Sequence, residues 1–331
     1  MPAAQNFSGD DLIVVTGGAG FIGSNIVLDL SRAGLRVVVC DLFRSGEKWR
    51  NIAAASLYDV VRPDDLFEWL ARNGDKVAAI VHMGAISSTT EKDVDKFVAT
   101  NIRLSLDLWG WCAANAVRLI YASSAATYGD GSAGFSDEQT AAALAVLRPL
   151  NAYGWSKHVV DRRVVDDVTR GHVTPRQWAG LKFFNVYGPN ETHKGFMQSL
   201  VSKIFPAVKA GETVTLFKSH NPSYPDGGQL RDFIYVKDCV SVVSWLLKHP
   251  ETSGLFNVGT GTARSFIDLV LAVCAAVGCR PNIRFIDTPD ELRAQYQYFT
   301  RADITKLRLA GFNASFYSIE DGVRDYLVQL S

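Results

Sequence analysis

Residues 12–23 read Leu-Ile-Val-Val-Thr-Gly-Gly-Ala-Gly-Phe-Ile-Gly, and the fold turns on that stretch. Leu12 to Val15 are apolar and partly β-branched, the composition of a strand buried on both faces. Glycines spaced three apart then break the run. Gly17 permits a tight turn, Gly20 lets a pyrophosphate approach the backbone, and Gly23 lets the next helix pack close to the sheet. Phe21 and Ile22 open that helix, whose unpaired amides suit an anion. An ordinary tight turn could carry the same triplet, so its surroundings decide. Arg36 to Cys40 (RVVVC) reads as a second buried strand ending at Asp41, 18 residues after Gly23. A carboxylate there is placed to bind adenosine ribose hydroxyls; the plainer reading of Asp41 is a strand-end cap. Leu42, Arg44 and Lys48 follow in a polar stretch.

With 331 residues the chain has room for two domains or one large α/β unit. Lysine plus arginine equals aspartate plus glutamate at 34 each, so no global field recruits nucleic acid or an anionic membrane. The N-terminal MPAAQNFSGDD has no signal-peptide pattern, and no run approaches the ~20 apolar residues of a membrane span. A cytoplasmic protein with a small-molecule ligand is expected. Five cysteines without a CxxC pair predict reduced thiols and no metal site, with Cys274 and Cys279 in an apolar core segment.

Along the chain, residues 64–72 suggest a helix, and Val77 to His82 (VAAIVH) is a third apolar strand running out into Met83-Gly84-Ala85. A strand ending in small residues lets a dinucleotide lie across it. Phe97 to Ala114 has helical spacing with Asn101 near its start. Leu119 to Ala122 is a strand ending in Ser123-Ser124-Ala125-Ala126-Thr127-Tyr128-Gly129, hydroxyls at the edge where ligands sit in a doubly wound sheet. The strand–helix alternation to about residue 185 predicts an α/β, Rossmann-type doubly wound parallel sheet with right-handed crossovers. Beyond it, prolines divide short apolar runs into a smaller, mixed substrate domain. Trp109, Trp111, Phe183 and Phe184 read as core, and His82 and His193 as a strand-end and a loop residue.

Tyr153 and Lys157 (YGWSK) are four apart and share a helix face. An ammonium beside a phenol favours phenolate, and bringing a tyrosine pKa from ~10 to near 7 takes about 4 kcal/mol, a task a cationic nicotinamide could share. Such a pair also occurs on exposed helices; the upstream glycine motif makes it meaningful.

TGGAGFIG, SSAATYG and YGWSK together resemble the extended short-chain dehydrogenase/reductase family, which binds nicotinamide dinucleotides and acts on nucleotide sugars. The segments HMGAISSTTE (82–91), YASSAATYG (121–129), FFNVYGPNETHKG (183–195) and QYFTRADITKLRLAGF (297–312) resemble its ADP-L-glycero-D-manno-heptose 6-epimerase branch. The resemblance spans the chain and implies that Tyr153 is a general acid/base, Lys157 its charge partner and Ser124 a hydroxyl on the reacting oxygen. It implies a second acid/base at Lys194, in His193-Lys194-Gly195, which by itself would read as a solvated loop lysine. Implied cofactor contacts are Gly17, Gly20, Phe21, Ile22, Gly23, Asp41, Leu42, Lys48, Met83, Gly84, Ala85, Ser87, Asn101, Tyr153, Lys157 and Val186. Implied substrate contacts are Ser124, Asn185, Phe196, Lys203, Phe217, Arg231 and Tyr296, Arg231 facing the diphosphate as a bidentate guanidinium or, in the plainer reading, pairing with Asp232 or Asp238. The segment SHNPSYPDGGQL before Arg231 departs from the branch's pattern.

Asp41 alone favours NAD, because it repels a ribose phosphate. The resemblance implies NADP, with Arg44 and Lys48 compensating; NADP is expected and NAD is the alternative. The resemblance also implies a homo-oligomer, often a pentamer, and a substrate, ADP-heptose, of lipopolysaccharide core biosynthesis. It divides the chain into a dinucleotide domain (1–185 plus about 231–260) and a sugar-nucleotide domain (about 186–230 plus 261–331). Three rivals differ in single features. A hexose 4-epimerase turns a ring ketone past one tyrosine and has no use for Lys194. A 4,6-dehydratase carries acidic residues where Ala125 and Ala126 stand. A non-catalytic dinucleotide-binding regulator would have lost Tyr153 or Lys157.

Overall fold

A computed structural model of the chain describes residues 7–44, 46–289, 293 and 297–330. Its centre is a seven-stranded sheet formed by β1 (Leu12–Thr16), β2 (Arg36–Cys40), β3 (Leu57–Val61), β4 (Val77–His82), β5 (Arg118–Ser124), β6 (Trp178–Phe183) and β10 (Gly254–Val258). The order is β10-β6-β5-β4-β1-β2-β3, and every pairing is parallel. Leaving β1, the chain moves to β2 on one side and later fills the other side from β4 outward. That reversal opens a crevice beyond the strand ends.

Alternation along β1 explains its place at the centre. Leu12 and Val14 join one apolar cluster with Leu66, Trp69, Leu108 and Val164, while Ile13 and Val15 join another with Ile26, Leu30, Val243 and Leu246. Helices therefore cover both faces: α1 (Phe21–Arg32), α2 (Leu66–Asn73), α3 (Leu104–Ala114) and α4 (Ala152–Thr169), with α6 (Val236–Lys248) returning after α5 (Leu200–Lys209).

The reading of β1, β2, β4 and β5 holds within two residues at each end. β3 went unread because Asp59 breaks its short apolar run, an interruption tolerated in an edge strand that is open to solvent at Tyr58 and Val60. The helix expected from Phe97 is preceded by Val94–Phe97 and interrupted by a π-helical turn, Val98–Arg103, before α3 begins. Gly23 also acts differently from the reading. A Cβ there would fall 2.1 Å from the Gly17 carbonyl oxygen, so the glycine is demanded by the turn's own backbone, not by helix–sheet packing.

The remaining strands build smaller sheets. β7 (Asn185–Tyr187), β9 (Leu230–Tyr235) and β11 (Ala263–Ser265) associate in the order β11-β9-β7; β8 (Val214–Phe217) pairs in parallel with β12 (Ile283–Ile286). These pack with α5, α7 (Phe266–Val277) and α8 (Ile319–Leu330) around Val201, Leu216, Leu269, Val273, Val323 and Tyr326. Of 231–260, α6 and β10 return to the large sheet, while β9 stays in the small one. No helix of the described residues is long and apolar enough to cross a membrane. The five cysteines are free thiols, with Cys274 buried in the third core and Cys279 packed at its edge.

Candidate active site

A cavity of about 910 Å³ lies over the C-terminal ends of β1, β4 and β5, running from Asp41 and Lys48 to Lys203 and Phe217. Its floor begins at the glycine turn, where Gly20, Phe21, Ile22 and Gly23 border it and α1 starts with no side-chain cap. The first-turn amides are thus left for an anionic ligand. Asp41 is buried: Oδ2 accepts from Ala19 N at 2.8 Å and Oδ1 from Leu42 N at 2.6 Å. Lys48 Nζ lies 2.5 Å from the same Oδ1, so this end of the cavity holds an ion pair and not a bare carboxylate.

The strand ends are held together by His82. Ser105 donates its hydroxyl to Asn101 O, so His82 Nε2 donates to Ser105 Oγ (2.9 Å) and Nδ1 accepts from Thr16 Oγ1 (2.6 Å). Burial, with Lys157 nearby, lowers the imidazole pKa to about 3, so His82 is a neutral brace. Met83, Gly84, Ala85 and Ser87 follow it along the cavity wall.

Three elements bring the reactive groups together. Ser124 ends β5, and its Oγ accepts from Ala126 N at 3.1 Å, turning the chain at once into a short 3-10 helix. Asn151 caps α4 by accepting from Gly154 N at 2.9 Å. Gly154 allows that helix to close on the Ser124 turn, since a Cβ would lie 2.6 Å from Ala126 O. Tyr153 and Lys157 thereby share the cavity wall with Ser124, whose hydroxyl bears on the phenol. Burial raises the Tyr153 pKa, opposed by the Ser124 hydroxyl. Burial lowers that of Lys157 to about 8, opposed by the Asp161 carboxylate. Desolvation is the first cause for both groups, so the phenol stays protonated until added positive charge draws its proton away.

Lys194 borders the same cavity, its ammonium 4.9 Å from the centre of the Phe21 ring. Burial lowers its pKa, Glu191 opposes this and Lys203 adds to it. Its loop is tied to the dinucleotide half: Asn25 donates to Pro189 O, Asn190 to Ser24 Oγ, and Asn51 to His193 Nδ1 at 3.2 Å. Glu191, fully buried, closes the loop by accepting from Ser199 N and Oγ.

Val186, Asn185, Lys203 and Phe217 also border the cavity. Others expected there do not. Asn101 is buried behind the wall, exchanging hydrogen bonds with the Ile86 backbone and donating to Ser156 Oγ. Leu42 and Phe196 point to solvent, the latter 97% exposed. The Arg231 guanidinium is stacked over Phe266 and donates to Leu230 O and Gln297 O, behind the wall. Tyr296 lies outside the described residues. Sequence reasoning gave no site role to Thr89, Gln198, Gln229 and Thr300, which border the cavity, nor to His193, taken only as a loop residue. Phe183 and Phe184 are buried as expected yet also form part of its lining.

The sequence model of the NAD dependent epimerase/dehydratase family matches residues 13–259, from β1 to just past β10. The chain belongs to that family. An ADP-L-glycero-D-manno-heptose-6-epimerase of Nitratidesulfovibrio vulgaris is 47% identical over 322 residues, 96% of this chain and 97% of the relative. The crystal structure of the Helicobacter pylori protein of the same description superposes with a TM-score of 0.80 at 27% identity, covering 100% of this chain and 99% of that one. A Thermus thermophilus UDP-glucose 4-epimerase complexed with NAD gives a TM-score of 0.74 at 27% identity, covering 96% and 98%. For an epimerase/dehydratase family member, the uncapped helix start beside a buried strand-end carboxylate fits a nicotinamide dinucleotide, diphosphate on the α1 amides and ribose near Asp41.

Proposed function

We propose that this chain interconverts ADP-D-glycero-D-manno-heptose and ADP-L-glycero-D-manno-heptose through a 6-keto sugar, in the cytoplasm, for lipopolysaccharide core heptose supply. The observation that carries this is the presence of two titratable donors, Tyr153 and Lys194, on the wall of one cavity. The bound cofactor supplies the acceptor and donor of a hydride. Tyr153, as phenolate, takes the C6 hydroxyl proton, with the Lys157 ammonium holding the phenolate form. Ser124 donates to the reacting oxygen. Epimerisation requires hydride to reach the opposite face of the ketone, so a proton source is needed on each side, and Lys194 fills the second place.

We take the cofactor to be NADP. The Lys48 ammonium on Asp41 supports this, since it cancels the charge that would repel a ribose phosphate. We assign residues 1–185 and about 231–260 to cofactor binding, the remainder to the sugar nucleotide, and expect a homo-oligomer. The test is incubation of the purified protein with each ADP-heptose epimer and no added cofactor. Interconversion is expected; inertness toward both epimers, with and without NADP or NAD, would overturn the reading.

A further inference from the structure

Beneath the reactive groups lies an ion pair sealed from solvent. Asp161 and Lys182 are both 0% exposed, with Nζ 2.7 Å from Oδ2. Asp161 follows Lys157 by four residues and Tyr153 by eight, on the same face of α4. Its carboxylate also accepts from Ser123 Oγ at 2.7 Å and Tyr121 OH at 3.1 Å, both on β5. Lys182, on β6, donates to Thr127 Oγ1 at 2.8 Å, and that hydroxyl donates to Ser124 O at 2.8 Å. Each hydrogen bond leads to the segment that carries Ser124, and the carboxylate itself hangs from the helix that carries Tyr153 and Lys157.

A buried ion pair is a poor device for stability alone. Well-packed apolar residues in its place are often neutral or stabilising. What such side chains cannot do is fix two strands and a helix in one register while placing negative charge behind a lysine. Building on the Tyr153, Lys157 and Ser124 roles proposed above, we propose that the Asp161–Lys182 pair is a positioning unit for the reaction. It locks β5 and its Ser124 against α4, and its carboxylate steadies the Lys157 ammonium. The groups bearing on Lys157 agree with this. His82, at the end of β4, is neutral, and Tyr121 on β5 stays protonated because burial and Asp161 both raise its pKa. Asp161 is then the nearby anion, with Lys182 compensating it from behind.

The two duties separate in two variants. Asp161→Asn with Lys182→Met removes both charges without stranding either. It should move the alkaline limb of the kcat profile, where Lys157 loses its proton, to lower pH by about half a unit or more. Thr127→Val keeps both charges but cuts the link to Ser124. It should lower kcat severalfold, with KM for the sugar nucleotide unchanged and the limb in place. Lys182→Arg, which retains the pair, should restore the wild-type profile. Tyr153→Phe run in parallel isolates the site reading: an active Tyr153→Phe enzyme would defeat that reading. An inactive one, beside a double variant with the wild-type profile and a Thr127→Val variant with wild-type kcat, would overturn the positioning unit alone.

Discussion

Lys48 and Asp41 form a 2.5 Å ion pair where the turn after β2 borders the cavity. The two residues pull cofactor choice in opposite directions. With Lys48 in place the carboxylate is compensated; without it, a ribose phosphate meets a bare negative charge. Lys48→Ala should therefore weaken NADP binding by at least about tenfold, the scale of one lost charge-assisted hydrogen bond, and change NAD binding far less. Fluorescence titration with both cofactors decides it. Equal losses for the two would show that Lys48 does not read the phosphate.

Tyr153→Phe keeps the ring that packs beside Ser124 and loses only the hydroxyl. Turnover should fall by at least ~100-fold, the lower range for a lost general acid/base, with cofactor affinity and melting temperature unchanged. A variant within threefold of wild type would remove Tyr153 from the chemistry.

Lys194→Met retains most of the aliphatic stem over Phe21 but carries no titratable proton. It should abolish epimerisation while leaving cofactor binding intact and allowing hydride transfer on one face. Deuterium incorporation from labelled cofactor, resolved by epimer, is the readout. Near-normal epimerisation would return the single-tyrosine 4-epimerase mechanism to contention.

Asp238, on α6, is buried and accepts from Tyr317 N at 3.0 Å; burial raises its pKa from 3.8 to about 7. The folded state thus binds a proton that the unfolded chain has released. The Asp238 contribution to stability therefore falls as pH rises from about 4 to 7 and is level above that. Asp238→Asn can keep the Tyr317 hydrogen bond without the charge. Its melting temperature should exceed wild type by about 2 °C or more at pH 8 and match it near pH 4. An identical difference at both pH values would refute the linkage.

Sequence disclosed most where a local pattern has one physical solution. A strand buried on both faces must be apolar throughout, so β1, β2 and β4 declared themselves, and the glycine turn located the cavity. β3 stayed hidden because an edge strand needs no such run. Tyr153 and Lys157 were readable because four residues make one helical turn. The Asp161–Lys182 pair was not, since its partners meet only when β5, β6 and α4 assemble. Arg231 shows the same limit: sequence supplies a guanidinium but not its direction, and here Leu230 O and Gln297 O claim it.

The strand order has a consequence for how the chain reaches its native state. A parallel pair cannot close through a tight hairpin, so each step across the large sheet waits for a crossover segment to fold or collapse. β10 is the extreme case: Gly254 pairs with Ala179 only after α5, the small-sheet strands β7 to β9 and α6 have been made. Until then β6 offers an unpaired edge beside Trp178, Leu181 and Phe183, side chains buried once folding is complete. On a ribosome that edge emerges long before its partner. The interval between them is when the nascent chain is most prone to pair with a neighbouring copy, and chaperone occupancy should concentrate there.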